Sequence, residues 1–267
     1  GLDLQKDIDV FAGTSTGSVI AVCLAAEISI DEIMEDYKTL SAHAFNPVHT
    51  VDPFAAKYSQ DELKKVVISV LKSHGYNENS TLSDLPKKVV IPTTTLKNLK
   101  TDRWGLEILD NINGNGQSIK IVDAILESGA PPIYFPSVNG HIDGGLSMND
   151  PSLAAIMQTY DPNKDDLKDY TILAIGTGYE PCSIDGNEDW GSLQWLGYKS
   201  TLGTFPLLKM LADIESQIPG QACEKLLGNR YRKINIALSG SFPLDDYEKI
   251  DQLLLYANEY VKSNPIE

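Results

Sequence analysis

The sequence DVFAGTSTGSVIAVCLA, residues 9–25, changes from a short apolar run to a longer helical pattern around a serine. Residues 7–12 predict a strand and residues 16–26 predict a helix. Between them, the motif G-x-S-x-G, typical of a nucleophile elbow, is matched by Gly13, Thr14, Ser15, Thr16 and Gly17. Glycines leave room for a strained serine backbone, and the helix N-terminus points N–H groups toward an oxyanion. The stretch favours Ser15 as a nucleophile over a small polar residue in a common turn.

The rest of the chain alternates β-branched runs with helical patterns, which is typical of an α/β fold with a mostly parallel sheet. Further strands are predicted at 88–93, 171–176 and 232–238, and further helices at 30–43, 61–73, 120–128, 151–158, 201–216 and 245–262. Ser29 and Glu32 fit a capping box. Asn-Gly within 114–116 indicates a hairpin turn, and 179–198 indicates a surface excursion. The length of 267 residues permits one large domain or two smaller ones.

Composition and charge restrict the partners. The chain is 42% hydrophobic and 22% charged, the balance of a soluble globular protein. Its net charge of −15 argues against nucleic acid and against general attraction to anionic lipid, so a lipid partner needs apolar contacts or a local basic patch. No apolar run reaches the roughly 20 residues of a membrane span. The N-terminus lacks a secretory pattern, so we expect a cytoplasmic protein, with peripheral membrane contact and secretion as open alternatives.

Metal and disulfide sites are not indicated. Cys23, Cys182 and Cys223 form no close pair and are expected to be free and structural. The acidic segment 161–169 lacks the glycine and the glutamate of a calcium loop. The stretch 190–211 gathers two tryptophans, Tyr198, Phe205 and several leucines. It predicts either an acyl-chain pocket or lipid contact, or else a helix and loop packed on the core.

A nucleophilic serine needs a base, and the chain has only four histidines, at 43, 49, 74 and 141. The first three fall at a helix end, in a loop and beside a helix C-terminus. His141 is therefore the one histidine that could complete a serine triad. Two residues later, Asp143 is followed by Gly144 and Gly145. These three residues indicate either a plain turn or a carboxylate base for Ser15.

The chain resembles the patatin-like phospholipase family in several motifs that occur in the expected order. They are GTSTG at 13–17, SGAPPIYFPS at 128–137, DGGLSMNDP at 143–151, LAIGTG at 173–178 and RYRKINIALSG at 230–240. The resemblance implies a patatin-like three-layer fold with helices on both faces of the sheet. It also implies a serine lipid acyl hydrolase, a phospholipase A or carboxylic ester hydrolase, that acts on phospholipids or other fatty-acyl esters without metal or cofactor.

The resemblance also implies a role for each motif residue. Ser15 attacks the ester and Asp143 is its base in a Ser-Asp dyad, which leaves His141 as a bystander. Gly144 and Gly145 shape the turn that presents the base, and Asn149 supports the loop, although the family pattern has a second asparagine where this chain has Asp150.

The family's glycine-rich oxyanion loop has no counterpart in residues 1–12. We therefore expect a single patatin-like domain over residues 1–267 that lacks its N-terminal strand and this loop. Two alternatives remain. One is a catalytically impaired lipid-binding or interaction module with the same fold, and the other is a triad esterase that uses His141.

Overall fold

The structure is a computed structural model that describes residues 3–45, 55–181, 183, 189–196, 206–240 and 242–264. Its strands are β1 (Val10–Ala12), β2 (Lys88–Thr95), β3 (Gly105–Asp110), β4 (His141–Ile142), β5 (Ile172–Ile175) and β6 (Tyr231–Ile234). Its helices are α1 (Leu4–Asp7), α2 (Thr16–Ala25), α3 (Ile30–Ala44), α4 (Gln60–Ser73), α5 (Ile121–Ser128), α6 (Gly145–Met148), α7 (Ser152–Thr159), α8 (Ser192–Trp195), α9 (Pro206–Leu227) and α10 (Ile250–Ser263). Strands and helices alternate along much of the chain, as an α/β fold requires.

The larger sheet has β2 at its centre. β1 pairs with β2 in parallel, β3 and β4 pair with it antiparallel, and β5 and β6 form a separate parallel pair. The larger sheet is therefore mixed, whereas the sequence predicted a mostly parallel sheet. The difference arises at the connection from β2 to β3, which holds only residues 96–104. A connection of that length is too short for a parallel crossover and returns the chain as a hairpin.

Helices cover both faces of the larger sheet, as predicted. Val89 and Ile91 of β2 face the main hydrophobic core, which α2, α4 and α5 complete. Val90, between them, faces a second core with Met148 of α6 and Ala154 of α7. Because β2 is buried on both faces, its residues form a continuous apolar run instead of an alternating one.

Most predicted helices are confirmed within a few residues of their ends. α3 has the predicted capping box, because Ser29 Oγ accepts the Glu32 N–H and the Glu32 carboxylate accepts the Ser29 N–H. α9 runs to Leu227, well past the predicted end at 216, and contains Pro219. Cys223 and Leu227 are fully buried against Ile156, so tertiary packing continues the helix past Pro219.

The predicted strand at 7–12 is wrong in its first half. The Asp3 side chain accepts the N–H groups of Gln5 and Lys6 and caps α1, so the strand begins only at Val10. The other predicted strands appear as β2, β5 and β6 with shifted ends, and β3 and β4 were not predicted. The Asn-Gly turn at 114–116 lies between β3 and α5 and joins no two strands, which corrects the hairpin prediction.

Some predicted features lie outside the described residues. These are His49, Cys182 and much of 179–198 and 190–211. Within the described part of 190–211, Trp190 and Trp195 pack edge to face with 5.2 Å between ring centroids. Cys23 and Cys223 are buried and free, as expected.

Two short strands meet end to end along one edge of β2. β3 occupies the opposite edge, so β1 and β4 share this one. β1 runs parallel to β2 and ends at Ala12, opposite Val90, whereas β4 runs antiparallel and ends at Ile142, opposite Thr94. The segments that follow both strands therefore leave the sheet at the same break in its edge.

Candidate active site

Ser15 lies in the turn between β1 and α2, with φ 55° and ψ −127°. A positive φ is unfavourable for a residue with a side chain, so the surroundings must hold this backbone in place. Gly13 is required sterically, because a Cβ there would lie 2.0 Å from the Gly17 carbonyl oxygen. A Cβ at Gly17 would meet nothing within 4 Å, which corrects the expectation that both glycines relieve a collision. The side chain of Ser15 is half-buried and reachable from solvent.

Asp143 follows β4 and enters the same break. Its Oδ2 accepts a hydrogen bond from Ser15 Oγ at 2.6 Å, and its Oδ1 accepts the Gly145 N–H at 2.7 Å. The residue is 6% exposed. Burial raises the pKa of Asp143 to about 6, although the hydrogen bonds from Ser15 and Gly145 act in the opposite direction. The carboxylate is therefore a stronger base than an ordinary aspartate.

The two glycines after Asp143 allow the loop to pack tightly against β2. A Cβ on Gly144 would lie 2.1 Å from the Pro92 carbonyl oxygen, so only glycine fits there. A Cβ on Gly145 would lie 2.8 Å from Asp143 Oδ1. Asn149 is exposed and its side chain makes no hydrogen bond to the described residues, so its supporting role stays a prediction.

Asp150 anchors the end of the loop that carries Asp143, residues 143–151, called the base loop after the proposed role of Asp143. The residue is 7% exposed, and its Oδ1 accepts the Ser152 N–H at 2.9 Å. Its Oδ2 lies 2.8 Å from Lys233 Nζ of β6, and that ammonium also donates to the Ser216 carbonyl of α9 at 2.7 Å. A partly buried ion pair thus ties the loop that carries Asp143 to the C-terminal elements.

Ser128, at the end of α5, contacts both halves of the site and is fully buried. Its Oγ accepts the Ser15 N–H at 2.9 Å and donates to the Pro92 carbonyl at 2.7 Å. Its own carbonyl accepts the Gly144 N–H at 3.1 Å. Sequence reasoning gave Ser128 no role, although it opens one of the motifs that carry the resemblance. Ser128 therefore holds the backbone of Ser15 in register with the loop that carries Asp143.

Two threonines complete the support. Thr14 Oγ1 donates to the Met148 carbonyl at 2.9 Å, which joins the serine turn to α6. Thr94 Oγ1 donates to the Asp143 carbonyl at 2.8 Å and contacts Ser147 Oγ at 2.6 Å. Within the described part of the chain, the Thr16 N–H has no hydrogen-bond acceptor. This N–H, at the start of α2, is available to an oxyanion beside Ser15.

The side chain of His141 contacts two acidic residues. Its Nε2 lies 3.1 Å from Glu107 and its Nδ1 lies 3.5 Å from Glu127. Burial raises the pKa of Glu127, which also accepts a hydrogen bond from Asn139. No histidine among the described residues is hydrogen-bonded to Ser15, whose hydroxyl partner is the Asp143 carboxylate.

Three or more His, Cys, Asp or Glu side chains do not converge as metal ligands anywhere in the described ranges. Within the same ranges, every helix is too short or too polar to cross a membrane.

The sequence matches a known family over its first part. A family model described as patatin-like phospholipase matches residues 1–156, which is more than half of the chain. The chain belongs to the patatin-like phospholipase family. The match contains both Ser15 and Asp143 and stops within α7.

Curated relatives of this patatin-like chain match over longer ranges at low identity. Protein teg of Priestia megaterium is 24% identical over 96% of this chain and 85% of its own length. A cGAMP-activated phospholipase of Vibrio cholerae is 27% identical over 74% of this chain and 60% of its own length. The crystal structure of VipD from Legionella pneumophila matches 96% of this chain and 62% of that chain, with 13% identity and a TM-score of 0.39.

Proposed function

We propose that this protein is a serine acyl hydrolase that cleaves phospholipids or other fatty-acyl esters through a dyad of Ser15 and Asp143. The observation that carries the proposal is the 2.6 Å hydrogen bond between Ser15 Oγ and Asp143 Oδ2 in a turn that strains the serine backbone. Family membership supports a lipid ester as the substrate class. The relative named a cGAMP-activated phospholipase supports phospholipids among those esters.

Acylation requires one proton to move twice. Ser15 Oγ forms a bond to the ester carbonyl carbon while its proton passes to Asp143 Oδ2. The tetrahedral intermediate then breaks its bond to the leaving alcohol, which takes the proton back from Asp143. A base with a pKa of about 6 is mostly ionised at pH 7 and close enough to neutrality to return the proton. The products are an acyl-Ser15 ester and, from a phospholipid, a lysophospholipid.

Deacylation uses the same carboxylate. Asp143 accepts a proton from a water molecule as the water oxygen bonds to the acyl carbon. Collapse of the second tetrahedral intermediate breaks the bond to Ser15 Oγ, which regains the proton, and the fatty acid leaves. In both steps the Thr16 N–H and the positive end of α2 stabilise the oxyanion.

We also propose that residues 1–267 form one patatin-like domain. The family match ends at residue 156, but the ion pair between Asp150 and Lys233 ties the base loop to β6. Ile156 of α7 shares a buried cluster with Cys223 and Leu227 of α9. A C-terminal unit that packed independently would not share a hydrophobic cluster with α7.

The proposal is tested by labelling and turnover together. The parent chain should react with a fluorophosphonate probe at Ser15 and hydrolyse a p-nitrophenyl ester and a phospholipid. Ser15→Ala should lose both activities, and Asp143→Asn should lose hydrolysis, with the circular dichroism spectrum unchanged. Ser118→Ala, which removes an exposed serine far along the chain, should retain both.

Two outcomes would contradict the proposal. Full hydrolysis by either dyad variant would exclude the dyad. Absence of labelling in an intact, folded protein would favour the non-catalytic lipid-binding or interaction module instead.

A further inference from the structure

The connection from β2 to β3, residues 96–104 (LKNLKTDRW), exposes large apolar side chains. We call it the docking loop. Leu99 is 95% exposed and Trp104 is 81% exposed, and Leu96 at the base is 43% exposed. Among the described residues, no other large apolar side chain is as exposed as Leu99 or Trp104. Single exposed leucines are common on protein surfaces. Three exposed large apolar residues within nine positions of one loop instead indicate an interaction surface.

Hydrogen bonds fix the shape of the docking loop. Asn98 Oδ1 accepts the N–H groups of Lys100 and Thr101, and the Asn98 N–H donates to the Arg103 carbonyl. The Asp102 N–H donates to the Asn98 carbonyl, with Asp102 in the left-handed region at φ 53°. The turn therefore keeps Leu99 at its tip without burying it. An ordered loop that exposes apolar side chains to solvent is typical of a surface that binds a membrane or another molecule.

The charge of the docking loop opposes that of the rest of the chain. Lys97, Lys100 and Arg103 carry three positive charges and Asp102 carries one negative charge, so the loop has a net charge of +2. The whole chain has a net charge of −15, which leaves −17 for the remainder. Lys97 pairs with Asp102 at 3.1 Å, whereas Lys100 and Arg103 are exposed. A local positive patch on an acidic protein orients it on an anionic surface that would otherwise repel it.

The docking loop begins at the end of β2 that pairs with β4, the strand that precedes Asp143. Thr94 contacts the Asp143 carbonyl and pairs with β4, and the Leu96 N–H donates to the Gly140 carbonyl. Leu96 follows Thr94 by two residues, which is about 7 Å along a strand. The base of the docking loop therefore lies beside the strand that leads to Asp143.

We propose that the docking loop binds an anionic phospholipid bilayer, with Leu99 and Trp104 entering the interfacial layer and Lys100 and Arg103 contacting lipid phosphates. Tryptophan favours the boundary between headgroups and acyl chains, and cationic side chains favour phosphate oxygens. The choice of a membrane rests on the proposed function, which requires a lipid substrate. Binding itself requires no catalysis and is measured independently.

The test uses the full-length Ser15→Ala chain and vesicles of phosphatidylcholine, with or without phosphatidylglycerol. The protein should float with phosphatidylglycerol vesicles. Its tryptophan fluorescence should shift to shorter wavelength and be quenched by brominated lipid, and Trp104→Phe should remove this change because Trp190 and Trp195 lie outside the loop. Lys100→Glu with Arg103→Glu should weaken binding by roughly 100-fold and remove the preference for anionic lipid. Leu99→Ser with Trp104→Ser should weaken binding by about tenfold or more.

Matched controls separate the loop from general surface effects. Lys64→Glu with Lys72→Glu changes two exposed lysines of α4, and Ile175→Ser changes a residue of β5 that is 70% exposed. Both should bind vesicles like the parent. Vesicle binding that survives the docking-loop substitutions would overturn the proposal. So would a loop-dependent dimer in sedimentation with vesicle binding unchanged, because the occupant would then be a second copy of the chain.

The docking proposal and the proposed function fail in different ways. In the chain with Ser15 intact, docking-loop variants should hydrolyse a soluble p-nitrophenyl ester at the parent rate and lose activity only on vesicles. If vesicle binding depends on the loop but no ester is hydrolysed, the docking proposal is supported and the proposed hydrolase function is contradicted. If the docking-loop variants hydrolyse vesicle lipid at the parent rate, the hydrolase function is supported and the docking proposal is contradicted.

Discussion

Replacing Asp143 by asparagine should stabilise the folded protein. Burial raises the pKa of Asp143 from 3.8 to about 6, so the folded protein disfavours the ionised carboxylate relative to the unfolded chain. The interval of about 2 pH units corresponds to about 3 kcal/mol, since one unit is worth about 1.4 kcal/mol. At pH values above 6, the ionised carboxylate destabilises the folded state by this full amount. Below about pH 4 the carboxyl is protonated in both states, and the destabilisation is absent.

Asp143→Asn removes the charge and keeps the shape. Its free energy of unfolding should exceed that of the parent by up to about 3 kcal/mol at pH 8. This difference in the free energy of unfolding should shrink as the pH falls from 6 to 4, because the carboxyl of the parent becomes protonated in the folded state. The asparagine oxygen can still accept the Gly145 N–H, so the loop retains that hydrogen bond.

Urea unfolding followed by tryptophan fluorescence at pH 8, 6 and 4 measures the difference. Asp110→Asn is a matched control, because Asp110 is also buried and its Oδ1 accepts the N–H groups of Ile112 and Asn113. Asp110→Asn should not raise the free energy of unfolding at pH 8, because the substitution weakens these charge-assisted hydrogen bonds. A gain in Asp143→Asn that is independent of pH, or a loss of stability at pH 8, would refute the reasoning.

The remaining predictions concern activity and packing. Hydrolysis of a soluble ester by the parent should follow one ionisation near pH 6 and lose about tenfold in kcat/KM at pH 5, as a pH–rate profile would show. Ser128→Ala leaves the Ser15 N–H without its partner and should lower kcat with KM nearly unchanged, whereas Ser128→Thr should partly restore it. Gly144→Ala drives a Cβ against the Pro92 carbonyl and should reduce kcat by roughly 100-fold in steady-state assays. Lys233→Met leaves Asp150 unpaired and should cost about 2 kcal/mol in denaturant unfolding, the partial exposure of Lys233 reducing the effect.

Local signals predicted most of the helices and the position of the serine turn. The capping box of Ser29 and Glu32 and the strand-to-helix change around Ser15 depend on neighbouring residues, so the sequence contains them directly. The sequence pattern did not predict β3 or β4, and the reason differs between the two strands. β4 has only two residues, and β3 (GLEILD) carries a glycine and two acids that obscure its alternation. Their positions depend on pairing with β2, which no local pattern reports.

The pairing of Ser15 with Asp143 could be expected from the motifs, but its geometry could not. The two residues are 128 positions apart, and their 2.6 Å contact depends on how β1 and β4 end. The pKa of Asp143, raised by burial, also follows from tertiary packing alone. Ser128 illustrates the same limit, because a serine at a helix end is too common to suggest that it contacts both halves of a site.

One residue in the sequence does encode the break at which the site forms. In a parallel ladder, the hydrogen bond from the Gly13 N–H to the Val90 carbonyl would be followed by a bond from the N–H of residue 92. Residue 92 is proline, which has no N–H, so the ladder of β1 ends there. The Pro92 carbonyl remains on that edge and accepts the Ser128 hydroxyl, and Gly144 packs directly against it. A proline inside a buried strand, normally evidence against a central position, here releases β1 into the turn of Ser15 and leaves the space that Asp143 enters.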